Sequence, residues 1–144
     1  MKDPLNHCHC SSSQCYCANI KRAEHKITSL YNRYLEEAGI TRGQYALLVT
    51  IEQNPSINVS NLADRMDLER TTLIRNLKPL ENRKLIQDTA QCGRSRSLEL
   101  TEEGQQVLNH ARIFWQKAQD ELEARLGTER IEQFHSLISF LIEM

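Results

Sequence analysis

The sequence predicts a mainly α-helical α+β chain carrying one small β-hairpin. Three observations predict it. Apolar residues recur at three- and four-residue steps through most of the 144 residues. Two short helical runs are joined by only Asp67-Leu68-Glu69, and the one alternating, strand-like stretch flanks Gln91-Cys92-Gly93. A content of 40% hydrophobic and 26% charged residues fits one globular unit. Met1-Lys2-Asp3-Pro4 lacks the apolar core of a signal peptide, and no apolar run reaches the roughly 18 residues that cross a bilayer. A cytoplasmic protein without membrane contact is expected.

Residues 1–17, with Pro4 and a Ser11-Ser12-Ser13 run, read as an irregular arm. Structure is expected from Ala18, where Ile20, Ala23, Ile27, Leu30, Tyr31, Tyr34, Leu35 and Ala38 describe one stripe of a long helix ended by Gly39. Thr41 suits the cap of a second helix, which Asn54-Pro55-Ser56 breaks. Ser60 is expected to cap a short third helix to Met66. Beyond the tight turn, Leu73, Ile74, Leu77, Leu80 and Leu85 form the buried seam of a fourth, with a bend expected near Pro79. Leu85–Ala90 and Ser95–Leu100 pair as a hairpin. Thr101-Glu102-Glu103 then opens a long helix stopped by Gly127, and a last helix carries Ile131, Phe134, Leu137, Ile138, Leu141 and Ile142.

Charge is unevenly placed. The net charge is −1, yet Glu69 to Ser97 holds seven bases against three acids. A basic stretch in an otherwise acidic chain is what phosphate contact by one face requires. A helix-turn-helix followed by a basic hairpin, a winged helix-turn-helix, sets one helix in the major groove and a loop over the adjacent minor groove. Arg70, Thr71, Thr72, Arg75 and Asn76 are the candidates for base edges, and Lys78 for phosphate. Arg94 and Arg96 at the hairpin suit a narrow minor groove. Singly, each is ordinary solubilising charge; the cluster is what points to DNA.

The order of these elements, with Leu62-Ala63-Asp64-Arg65-Met66, Arg70-Thr71-Thr72-Leu73-Ile74-Arg75-Asn76-Leu77, Arg94-Ser95-Arg96 and Leu98-Glu99-Leu100-Thr101-Glu102-Glu103-Gly104, resembles the MarR family from about Ala18 to Met144. The resemblance implies an intertwined homodimer on a palindromic operator, most often as a repressor. Residues 18–40 and 102–144 would form the dimerisation helices and 41–101 the DNA-binding region. Two residues depart from the family pattern: Cys92 stands where an aspartate is usual, and Lys84 replaces a frequent glycine.

Four of the five cysteines crowd the start of the chain as Cys8, Cys10, Cys15 and Cys17. In a reducing compartment such clustering points to redox or metal chemistry. The placing of Cys17, just before the first helix, is similar to that of the reactive cysteine in the family's organic-hydroperoxide-sensing branch. Tyr31 falls where that branch has a tyrosine bonded to the thiolate. Arg42 occupies the place of a second tyrosine and would lower the thiol pKa by its charge. Cys8, Cys10 and Cys15 are then candidate resolving thiols, and re-tethering the arm would shift half-site heads spaced about 34 Å apart. The rival reading is a soft-metal or metalloid site for Zn, Cu(I) or arsenite built from Cys8, Cys10, Cys15 and Cys17. A third reading gives the arm no sensory role and places a small ligand among Tyr34, Tyr45 and Trp115. An enzyme is disfavoured, since neither a nucleotide loop nor a nucleophile elbow is present. The basic bias of the reader disfavours a module that binds only protein.

Overall fold

The computed structural model describes residues 15–91 and 95–144. Helix α1 spans Tyr16–Leu35, and the Cys15 Sγ caps it by accepting the Ala18 backbone N–H at 3.5 Å. The helix therefore starts ahead of the expected Ala18, and Cys17 lies within its first turn instead of before it. A 3₁₀ turn, Glu36–Ala38, ends at Gly39, whose φ of 69° is the left-handed conformation that reverses the chain. Helix α2 (Arg42–Gln53) opens on a reciprocal capping box between Thr41 and Gln44.

Strand β1 (Ile57–Asn58) leads directly into α3 (Val59–Met66), and Asn58, not Ser60, is the cap: its Oδ1 accepts the Asn61 N–H at 2.8 Å. The reason is long-range. Pairing of Ile57 and Asn58 with Leu98 and Ser97 holds Asn58 extended, so helical geometry begins one residue later and Ser60 is already inside it. Asp67 turns the chain at φ 50°, and α4 (Arg70–Asn82) follows, continuing through Pro79. It ends before Leu85, which is buried beyond the helix terminus.

Strands β2 (Ile86–Asp88) and β3 (Ser97–Leu100) form the expected hairpin, and β1 adds to its other side, giving an antiparallel sheet of order β1-β3-β2. Thr101 caps α5 (Glu102–Leu126), and Gly127 separates it from α6 (Thr128–Ile142). No helix among the described residues is long and apolar enough to cross a membrane.

The core gathers Leu47, Leu48 and Ile51 of α2, Leu62 of α3, Leu73, Leu77 and Leu80 of α4, Leu98 of β3, and Leu108 and Ala111 of α5. The ends of the chain behave differently. Of the α1 stripe only Tyr31 and Leu35 are buried, and no residue of α6 is. Ile20, Leu137 and Phe140 are 52%, 58% and 65% exposed.

Candidate nucleic-acid interface

Helix α4 is fixed by its buried side. Leu73, Leu77 and Leu80, at three- and four-residue steps, are sealed against the core. The opposite side therefore presents Arg70, Thr71, Arg75, Asn76 and Lys78 to solvent, with Thr72 half-buried at the edge. All six α4 candidates thus occupy the exposed side or its margin. Ile74, expected in the buried seam, is instead 44% exposed. One residue past Leu73, it is turned about 100° from the buried line, too far to follow it inward.

The C-terminus of α4 is tied down. The Lys84 N–H donates to the Glu81 carbonyl and the Leu85 N–H to the Leu80 carbonyl, each at 2.9 Å, with Lys84 at φ 56°. This is a Schellman closure whose left-handed position, usually glycine, holds a lysine. The substitution leaves the turn geometry intact. Arg83 Nη1 donates to the Gly39 carbonyl at 2.7 Å, joining the same corner to the α1–α2 connection.

The wing is braced from within. Asp88 Oδ1 accepts the N–H groups of Ala90 at 2.9 Å and Ser97 at 3.0 Å, and Thr89 N–H donates to the Ser97 carbonyl at 2.7 Å. Arg96 lies between two carboxylates, donating from Nε to Asp88 at 3.1 Å and from Nη2 to Glu81 of α4. Grouped with Arg94 as a groove contact, Arg96 is in the structure a strut between α4 and the hairpin. Its partners are 15 and 8 residues away, and no local motif signals them. Arg94 and Cys92 lie outside the described residues.

The MarR family model matches residues 40–91, the segment from the start of α2 through the first wing strand. The transcriptional regulator SarZ of Staphylococcus epidermidis is 32% identical over 101 residues, covering 69% of this chain and 67% of SarZ. The chain belongs to the MarR family. The M. tuberculosis regulator MosR, solved in complex with DNA, is 30% identical, with a TM-score of 0.75 over 90% of this chain and 96% of MosR. The repressor CouR, solved with p-coumaroyl-CoA, shares the fold at a TM-score of 0.84 and 21% identity, covering 94% of this chain and 98% of CouR. This MarR-family protein is a DNA-binding transcriptional regulator and not an enzyme, with double-stranded DNA and a second copy of the chain as its partners.

Helix α2 of the MarR-type head joins α5 through a polar bridge. Arg112 of α5 holds Glu52 of α2 with both guanidinium nitrogens, and Gln105 Nε2 donates to Glu52 at 2.6 Å. The Arg112 hydrogen bond, then that from Gln105, lowers the Glu52 pKa below the usual carboxylate range. Beside it, Tyr45 stacks on Trp115 with centroids 6.0 Å apart, and Tyr34 donates to Glu121 at 2.5 Å. The three aromatics considered for a ligand thus make packing and hydrogen-bond contacts at the α1–α2–α5 junction.

Of the arm cysteines, Cys8 and Cys10 lie outside the described residues. Cys15 and Cys17 are free thiols, Cys17 exposed. Among the described residues no three metal-ligating side chains converge. Tyr31 lies on the same helix as Cys17, fourteen residues on, which is about 21 Å along the axis. Within one protomer the two therefore do not meet. Arg42 also belongs to the far end: its backbone N–H donates to Asn32 Oδ1 at 2.7 Å, and its charge acts on Tyr31. Burial, then the nearby Glu123, raises the Tyr31 pKa, so its hydroxyl stays protonated at neutral pH.

Proposed function

We propose that the protein is a homodimeric repressor whose α4 helices enter successive major grooves of a palindromic operator and which releases DNA when Cys17 is oxidised. Arg70, Thr71, Thr72, Arg75 and Asn76 read base edges, Lys78 contacts phosphate, and Arg94 reaches the flanking minor groove. Arg96 acts indirectly, by holding the wing against α4. The observation that carries this reading is the α4 side opposite Leu73, Leu77 and Leu80, where bases and hydrogen-bonding side chains stand exposed together. MosR, 30% identical and solved in complex with DNA, supports DNA as the partner of this surface.

Sensing follows from where Cys17 sits. It is exposed in the first turn of α1, where a hydroperoxide can reach its sulfur. The thiolate attacks the O–O bond of an organic hydroperoxide. An S–O bond forms, the O–O bond breaks, and the departing alkoxide takes a proton from water, leaving a sulfenic acid and an alcohol. Condensation with a second arm thiol, Cys8, Cys10 or Cys15, forms a disulfide and releases water. Because Cys17 and Tyr31 of one protomer stand about four helical turns apart, their meeting requires the partner's α1 across the seam.

The test is duplex binding by the reduced protein, repeated after cumene hydroperoxide, Zn(II) and arsenite. Arg75→Ala lowers affinity about tenfold, and Lys78→Ala lowers the slope of log affinity against log salt by about one. Hydroperoxide releases the parent but not Cys17→Ser. Release of Cys17→Ser as well, or release by the metal ions alone, overturns the redox reading and leaves the DNA reading standing.

A further inference from the structure

We propose that Ile74 is a specificity residue that recognises thymine through its C5 methyl group. The inference rests on α4 being the reading helix and adds to that reading which base is selected. Among the described residues of the α2-to-β3 head, Ile74 is the single large apolar side chain exposed to solvent; the others that are exposed belong to α1, α5, α6 and the C-terminal Met144. Its surroundings are not those of a self-association seam. Arg70 stands one turn before it and Lys78 one turn after, both exposed, with Thr71 and Arg75 beside them. Cations that flank an apolar side chain on both sides suit a polyanion and disfavour a second copy of the same helix. Within the major groove the apolar feature that a base pair offers is the thymine methyl; the other edges carry donors and acceptors that isoleucine cannot satisfy. An isoleucine set between two cations that draw it onto DNA therefore gains from thymine and loses, by desolvation without a partner, against the polar edges of guanine or cytosine.

The experiment starts from a duplex selected out of a random-sequence pool by the full-length protein. Each thymine of its half-sites is then replaced by deoxyuridine, which removes only the methyl group and keeps every hydrogen-bonding edge. At one thymine per half-site the replacement weakens wild-type binding about fourfold, the worth of one buried methyl group, and about fifteenfold when made in both. Ile74→Ala and Ile74→Thr bind the selected duplex more weakly and no longer distinguish thymine from deoxyuridine there. If no replacement moves wild-type affinity, or if the variants keep the same penalty, while Arg75→Ala still weakens binding, Ile74 is a passive surface residue and only this proposal falls. If Arg75→Ala also leaves binding unchanged, α4 is not the reader and both readings fall.

Discussion

The reading head and the chain ends carry the same three-and-four spacing of apolar residues and meet opposite fates. Leu62, Leu73, Leu77 and Leu80 are fully buried within one chain, whereas Leu137, Phe140 and Ile142 of α6 remain on the surface. The difference is one of partners. The head folds three helices and a sheet over a shared core, while α6 packs on α5 and turns its other side outward. An amphipathic pattern thus states that a surface will be buried without stating by which chain. We propose the outward side of α6, with Ile20 of α1, as the seam between two copies.

Breaking the seam has the largest expected effect. Leu137→Arg with Phe140→Arg places two charges on an apolar surface that the dimer must desolvate. Light scattering then reports a monomer, and operator affinity falls on the order of 100-fold, because two linked heads bind far more tightly than one. The head keeps its helical signal. A dimer surviving both substitutions would move the seam off α6.

Breaking the head from inside comes next. Gly104, in the first turn of α5, has the Leu85 carbonyl oxygen only 1.9 Å from where a Cβ would sit. That approach is fixed by Thr101, which donates from its N–H to the Leu85 carbonyl at 3.0 Å and from Oγ1 to the Lys84 carbonyl at 2.7 Å. Gly104→Ala drives a methyl group into backbone and destabilises the fold by about 3 kcal/mol, read by urea unfolding. Gly43→Ala is the control. Its Cβ meets only Thr41 Oγ1 at 4.0 Å, and stability is held or slightly raised.

The same contrast explains what the sequence makes legible. The caps Thr41 and Thr101 and the terminators Gly39 and Gly127 work through neighbours a few residues away, and each is found where its type suggests. The exposed side of α4 follows from the buried one. Asn58 displaces Ser60 as cap only because Ile57 pairs with Leu98, forty-one residues on. Arg96 looks like a wing cation until Glu81 and Asp88 are brought to it. Ile74 was legible in part: Leu73, Leu77 and Leu80 already complete the stripe, and a neighbour one position along falls outside it. The separation of Cys17 from Tyr31 needed only the recognition that one unbroken helix holds both.

The smallest expected effect sharpens the comparison most. Lys84 occupies a left-handed conformation, φ 56°, that costs a residue with a Cβ about 1 kcal/mol. Glycine removes that cost and returns about half of it through the greater freedom of the unfolded chain. Lys84→Gly therefore stabilises by about 0.5 kcal/mol, raising the melting temperature by about 1 to 2 °C. The closure it relaxes, between Glu81, Leu80 and Leu85, lies wholly within the head. The gain should then be equal in the dimer and in the Leu137→Arg/Phe140→Arg monomer. A gain seen only in the dimer would mean that the head borrows its stability from the seam, and the division between a self-sufficient reader and partner-dependent ends would not hold.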